Sequence, residues 1–302
     1  MNTPIRIKVP ATTSNMGPGF DSIGMALDIW NTVTIQLSDH PIVSIEGSGA
    51  DTLPANEHNL VYRAAMKILE TINQKGVNFH ISCENNIPLE RGLGSSAAAI
   101  VGGLSAANTI TGSTVSKEKI LELAVALEGH ADNAAPAVNG GVQIAIKDKD
   151  SICTFPVSIS DNLNAVLYVP ALLINTTMAR DILPNVVPID DVVYNLGRVA
   201  LLINSLASGR FQDLCIATTD RVHQPARSNL FPQMQLLINA AMHAGSLGAF
   251  LSGSGSTVLA LTQGRELTIA YEIAEAAKKA NLPGEVKITS LSLRGVYVEG
   301  SN

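Results

Sequence analysis

"PLERGLGSSAAA", residues 88–99, runs from a charged dipeptide into two glycines, two serines and a block of alanine. Glycine lets a backbone approach a ligand closely, and the N–H groups that open a helix have no intrahelical acceptor. The peptide dipoles aligned along that helix add partial positive charge at its start, so the stretch predicts a phosphate site. Ser95 and Ser96 add hydroxyls able to donate to phosphate oxygens or to ligate the Mg²⁺ that accompanies a nucleotide. A P-loop is excluded, because GxxxxGK[ST] needs a lysine that is missing here. A dinucleotide pattern fits Gly92, Gly94 and Ala97 on paper. Yet the strand predicted over "VNFHISC" ends at Cys83, and a polar, proline-containing loop separates it from Gly92. Where a ribose-binding acid should close a second strand lies the helical "SKEKILELAVALEGH". Taken alone, the stretch also fits a glycine-rich loop that merely starts a helix.

The whole chain narrows the classes. Its 302 residues suffice for a large core or two domains. Hydrophobic residues make up 46% and charged ones 15%, which fits a globular enzyme rather than a disordered scaffold. The net charge of −6 gives no basic field for nucleic acid, so a bound anion must be held locally. Cys83, Cys153 and Cys215 form no CxxC pair and read as buried, reduced thiols. The opening "MNTPIRIKVP" reads as a first strand rather than a signal peptide, and no run approaches the ~20 apolar residues of a membrane span. A cytoplasmic protein without a membrane partner is expected.

Periodicity places strands first. "IRIKVP", "NTVTIQL" and "IVSIEG" carry β-branched residues in partial alternation. "NLVYRAAMKILETINQKG" follows with Leu60, Ala64, Ile68 and Ile72 at helical spacing and Gly76 as its expected cap. After the strand at 77–83, helices are predicted to about Thr109 and over 116–129, then a strand in "GGVQIAI". A looser stretch at 148–163 is the expected boundary. Beyond it come "LNAVLYVP", helices near 189–207 and 232–244, paired strands at 247–261, a helix at 264–280 and terminal strands. Two unequal lobes of mixed strands and helices argue for the α+β class, with the cleft between them as the expected site.

Three further segments are rich in small and polar residues. "PATTSNMGPGFD" (10–21) gathers turn formers around Asn15 and Asp21 and reads by itself as a turn with Asx capping. "LEGHADNAAPAVNGG" sets Glu128, His130, Asp132 and Asn133 just after a helix, a metal pair or a solvated helix end. "GAFLSGSGSTVLAL" (248–261) is a glycine-serine turn between apolar runs, without the GxSxG nucleophile elbow.

Together these segments resemble the GHMP family of small-molecule kinases, through three ordered motifs spread over nearly the whole chain: 10–21, 88–99 and 248–261. The middle motif is common to the family. The first, with "EGHADNAAPA" and "HQPAR", resembles the members that act on homoserine. The resemblance implies an α+β, two-domain GHMP kinase fold. Its N-terminal domain, 1–155, would be ribosomal protein S5 domain 2-like, and its C-terminal domain, 156–302, ferredoxin-like. The implied activity is ATP-dependent phosphorylation of L-homoserine in threonine biosynthesis, by a cytoplasmic homodimer. The alternatives are another small-molecule kinase of the family and a non-catalytic nucleotide-binding relative.

By the same resemblance Pro88, Leu89, Glu90, Arg91, Gly92, Leu93, Gly94, Ser95, Ser96, Ala97 and Ala98 cradle ATP, with Asn59 and Val61 near the adenine. Ser96 and Glu128 hold Mg²⁺ and, with Asn133, are the catalytic candidates. Substrate positions are Asn15, Asp21, His130 and Asn133, then Thr176 and Arg180 from "NTTMARDILP" and Arg227 from "HQPAR". Two guanidinium forks suit a carboxylate, and Asp21 suits an ammonium. The aspartate–lysine pair of several family members has no counterpart lysine beside these segments, and no dedicated base is expected.

Overall fold

Alternating β-branched residues build the first sheet. The computed structural model describes residues 3–149, 151–159 and 163–300. The sheet holds β1 (Ile5–Ser14), β2 (Ile23–Ser38), β3 (Ile42–Gly47), β4 (Asn78–Asn85), β5 (Val142–Asp148) and β6 (Ser151–Val157). Its order is β1-β2-β4-β3, with β5 paired to the start of β2 and β6 to β5. Among the described strand pairs only β3 and β4 are parallel, and α1 (Leu60–Thr71) supplies the crossover such a pair requires.

Several boundaries differ from expectation. β1 runs past Pro10 through "ATTS", where a turn was expected, because Ala11 to Ser14 continue the ladder with β2 beyond a register shift. β2 starts at Ile23 rather than Asn31. Ile23 to Leu27 are all buried, so alternation could not reveal them. The expected loose stretch at 148–163 contains β6, an edge strand too exposed to show a pattern; residues 150 and 160–162 lie outside the described residues. α1 ends at Thr71, and Asn73 (φ +55°) takes the left-handed place expected of Gly76. Only Cys83 is buried. Cys153 on the edge strand is half-buried and Cys215 is exposed.

α2 (Ser95–Ile110), α3 (Lys117–Glu128) and α4 (Ala134–Asn139) complete this lobe. Residues Ala97 to Asn108 of α2 are buried except Ala99, which explains the alanine block: the helix is enclosed on nearly every side. A Cβ at Gly103 would sit 2.2 Å from Val61 O of α1, so small residues set the helix–helix distance.

The second lobe contains β7 (Asn164–Pro170), α5 (Thr176–Asp181), α6 (Ile189–Ser208), α7 (Leu214–Ala217), α8 (Gln224–Arg227) and α9 (Met234–His243). β8 (Gly248–Leu251), β9 (Val258–Thr262), α10 (Glu266–Lys279) and β10 (Gly284–Ser290) follow. The antiparallel order β10-β7-β9-β8, with helices between the first two and the last two strands, is the ferredoxin-like arrangement. Alternation divides its faces. Val166, Val258, Ala260 and Leu251 pack on α9 and α10, while Leu167, Leu259, Leu261 and Phe250 join the core of the first lobe. The chain then returns: Ser292 N–H donates to Ala26 O, and β11 (Tyr297–Val298) pairs with β1.

Candidate active site

The glycine loop opens α2 as the sequence predicts. Gly94 caps the helix at φ +68° with no side-chain acceptor, so the first N–H groups of α2 stay open to an anion. Both glycines are dictated by close approach. A Cβ at Gly94 would lie 2.0 Å from Thr12 Oγ1, and one at Gly92 2.0 Å from Ser252 O. Beside the helix start, Ser96 Oγ donates to Glu128 Oε2 at 2.6 Å. Glu128 is the last residue of α3, where the helix dipole disfavours an acid, so helix stability does not explain its place there. His130 Nδ1–H donates to Asp132 Oδ1 at 2.7 Å, and its Nε2 lies 3.8 Å from Glu128 Oε1. Burial opposes the imidazolium, but the hydrogen bond and the two carboxylates outweigh it and raise the His130 pKa.

The opposite wall joins residues far apart in the chain. Arg180 Nη1 and Nη2 donate to Asp21 Oδ2 and Oδ1 at 2.9 and 2.7 Å, and this pairing raises the arginine pKa. The groups expected to bind a carboxylate and an ammonium therefore bind each other. Arg227 is buried. Its Nε donates to Ala179 O, and its Nη1 to Gly253 O and to His223 Nδ1. Burial, reinforced by Arg180, pushes its pKa down to about 10.

Asn15 Oδ1 accepts the Asp21 N–H while its Nδ2 donates to Gly253 O, which ties the 15–21 turn to the second lobe. Asn133 accepts from Thr12 Oγ1 and donates to Ser14 Oγ. Its amide holds the end of β1, and a ligand meets only its remaining capacity. The turn between β8 and β9 locks the parts together. Ser252 Oγ donates to Gly92 O and accepts from Thr13 Oγ1, and Thr257 N–H donates to Arg91 O.

One cavity of about 280 Å³ collects these groups, lined by Asn15, Asp21, Glu90, Gly92, Gly94, Ser95, Ser96, Glu128, His130, Asn133, Thr176, Arg180 and Arg227 among others. A second, more apolar cavity of about 540 Å³ adjoins it and shares Glu90, Ser95 and Ser96. Leu89, Ala98, Asn59 and Val61 line this second space. Asn59 spends its amide on Val61 N–H and Pro54 O, so it caps α1 rather than presenting a free donor. Cys83 also lines it, and burial pushes that thiol up to about 12, which keeps it neutral.

Four residues of the expected cradle lie elsewhere. Arg91 turns its guanidinium onto the carbonyls of Leu89, Pro170 and Ala171. Pro88 lies with it at the lobe junction, and Leu93 and Ala97 are packed in the core. Sequence reasoning missed Ser14, Asn175, Thr177, Gly253 and Ser254, all of which line the 280 Å³ cavity. All five stand inside segments already singled out, and the crowding of hydroxyls and glycines there was the available signal.

Comparison with known proteins follows the same lines. The family description "GHMP kinases N terminal domain" matches residues 59–141, and "GHMP kinases C terminal" matches 200–282. The chain is 40% identical to a homoserine kinase of Caldanaerobacter subterraneus over 85% of its own length and 83% of the relative's. Identity to a homoserine kinase of Petrotoga mobilis is 37%, over 99% and 98% of the two chains. The crystal structure of homoserine kinase from Cytophaga hutchinsonii superposes with a TM-score of 0.89 at 30% identity, covering 98% of this chain and 97% of that one.

Proposed function

The chain belongs to the GHMP kinase family, and from that premise we propose that it phosphorylates the hydroxyl of L-homoserine with ATP, yielding O-phospho-L-homoserine for threonine biosynthesis. One observation carries the reading. A single small cavity has the open N-terminus of α2 at one wall and Asp21, Arg180 and Arg227 at the other. Leu89, Glu90, Gly92, Gly94, Ser95 and Ser96 along the loop lead the triphosphate from the larger cavity, which takes the adenosine, to the smaller one. The zwitterion then replaces the internal ion pair, ammonium against Asp21 and carboxylate against Arg180 and Arg227. A neutral or singly charged analogue would leave one partner of the Asp21–Arg180 pair without its counter-charge.

In the transfer, the substrate hydroxyl oxygen bonds to the γ-phosphorus as the bond from that phosphorus to the β–γ bridging oxygen breaks. The electron pair leaves on ADP, and the hydroxyl proton passes to a phosphate oxygen. A loose transition state gains little from early deprotonation, so positioning and charge stabilisation by the α2 N-terminus dominate. Asp21 is committed to positioning, and Asn133 orders the end of β1 beside the loop. Ser96 and Glu128 fit Mg²⁺, a hard cation that needs few protein oxygens when phosphates and water complete its shell. When bound, it neutralises phosphate charge.

The same reading divides the chain at 155/156; that point falls inside β6, and the change of sheet between β6 and β7 supports a division after Val157 instead. It also includes a cytoplasmic homodimer; light scattering of the purified chain tests the dimer. Among the described residues no helix is long and apolar enough to cross a membrane. Coupled ADP release with homoserine, mevalonate, galactose and shikimate tests the activity. Homoserine is expected to turn over fastest, and equal or faster turnover of another acceptor overturns the assignment.

A further inference from the structure

Behind Arg227, away from the cavity, a fully buried histidine meets it. His223 Nδ1 lies 3.0 Å from Arg227 Nη1, and its Nε2 lies 2.7 Å from Gly17 O. A guanidinium only donates and a carbonyl only accepts, so Nδ1 carries the lone pair and Nε2 the proton. Geometry thus fixes one neutral tautomer. Burial pushes the imidazole pKa down to about 4, against the opposing charge of Asp220. The group stays neutral through the physiological range.

The histidine is itself held from both sides. Asp220 accepts the backbone N–H groups of Val222, His223 and Gln224 at 2.7 to 3.0 Å, which orders the start of α8. Asn195 of α6 donates to the same carboxylate at 2.7 Å and accepts the Arg221 N–H. His223 and Arg227 are four residues apart and share one face of this turn of helix. Meanwhile His223 Nε2–H binds Gly17 O, in the turn that leads to Asp21. With Ala179 O on Nε, and Gly253 O and His223 Nδ1 on Nη1, the Arg227 fork has one orientation. A ligand in the cavity then meets Nη2.

We propose that His223, as its Nε2–H tautomer, is a positioning residue that aims Arg227 at the carboxylate of the substrate, with Asp220 and Asn195 holding it in place. The proposal rests on the reading of Arg227 as a carboxylate ligand. His223 is fully buried and lines neither cavity, so it acts only through Arg227 and the 17–21 turn.

Two variants separate its two bonds. His223→Asn keeps an acceptor near the Nδ1 position and loses the donor to Gly17 O. His223→Gln keeps a donor near the Nε2 position and leaves Arg227 Nη1 without that acceptor. The expected result is a homoserine KM raised about tenfold or more in His223→Gln, with kcat and the ATP KM within about threefold. His223→Asn should recover most of the homoserine KM. Discrimination between homoserine and its carboxamide should fall in the Gln variant alone, because only the carboxylate senses Arg227. Equal KM rises in both variants that follow their loss of Tm would reduce His223 to a structural residue and overturn the proposal. So would an unchanged KM in His223→Gln. Should the Gln variant fail to fold, the Asn variant decides: a KM near that of the unsubstituted protein supports the proposal, and one equal to that of Arg227→Ala overturns it. Arg227→Ala serves as the reference throughout. If it leaves the homoserine KM unchanged, the reading of the site itself fails; if it raises that KM while His223→Gln does not, only the positioning role fails.

Discussion

Replacing Gly94 by alanine should damage both the fold and the phosphate site, and Gly76→Ala supplies the matched control. The two glycines have nearly equal backbone angles, φ +68° and +74°. An alanine in that left-handed region costs about 1–2 kcal/mol at either position. Around Gly76 there is nothing within 4 Å of the new Cβ, so strain is its whole penalty. At Gly94 the Cβ would meet Thr12 Oγ1 at 2.0 Å, and both Thr12 Cβ and Asn133 Oδ1 at 3.2 Å. Thr12 cannot rotate away without giving up its buried hydrogen bond to Asn133 Oδ1, and a buried polar group left unpaired costs about 1–3 kcal/mol. The total at Gly94 is about 2–5 kcal/mol. With 1 kcal/mol worth about 1.5 °C at an unfolding entropy of about 2.1 cal/mol/K per residue over a chain of this length, Gly76→Ala should lower Tm by about 2–3 °C and Gly94→Ala by roughly two to three times as much. A shift of the loop by about 1 Å also misplaces the N–H groups of α2, which can lower kcat/KM for ATP about a hundredfold. Thermal melts and initial rates against ATP measure both. Equal Tm losses in the two variants, with ATP kinetics of Gly94→Ala unchanged, would refute the argument from close approach.

The remaining expectations concern charge. Glu128→Gln keeps shape but loses the anion, so the Mg²⁺ concentration for half-maximal rate should rise strongly; an unchanged titration removes Glu128 from the metal. Arg227→Ala should raise the homoserine KM by the equivalent of about 2–5 kcal/mol with ATP binding intact. Arg180→Ala should do less, because that side chain is 37% exposed, and substrate saturation curves rank the two. Asp21→Asn should raise the homoserine KM while kcat at saturation falls less than about a hundredfold; loss of kcat together with the acid limb of its pH profile would make Asp21 the base. The raised pKa of His130 means that its contribution to stability is fully present below the ordinary imidazole value and is lost as pH rises through the raised one. His130→Gln should therefore flatten the fall of the urea midpoint with rising pH above about 6.5, and an unchanged slope would separate the His130–Asp132 bond from stability.

Local chemistry was legible in the sequence alone. Gly92, Gly94 and the serines that start α2 announce a close-approach loop with an open helix N-terminus, because backbone freedom and unpaired N–H groups are properties of a few consecutive residues. The helix of 189–207 likewise follows from its helical period, and the strand "LNAVLYVP" from a short apolar run. Tertiary structure decided what those residues do to one another. Asp21 meets Arg180 across 159 positions, and Gly253 O receives both Asn15 and Arg227. No spacing rule can show that Asn133 spends its amide on Thr12 and Ser14, or that Arg91 turns to the carbonyls of Pro170 and Ala171. The strands that escaped notice are the first half of β2, where Ile23 to Leu27 are all buried, and the whole of β6, where only Val157 is buried, so neither alternates. Periodicity records which face of an element meets the core, whereas the partner of a polar group depends on which distant segment folding sets beside it.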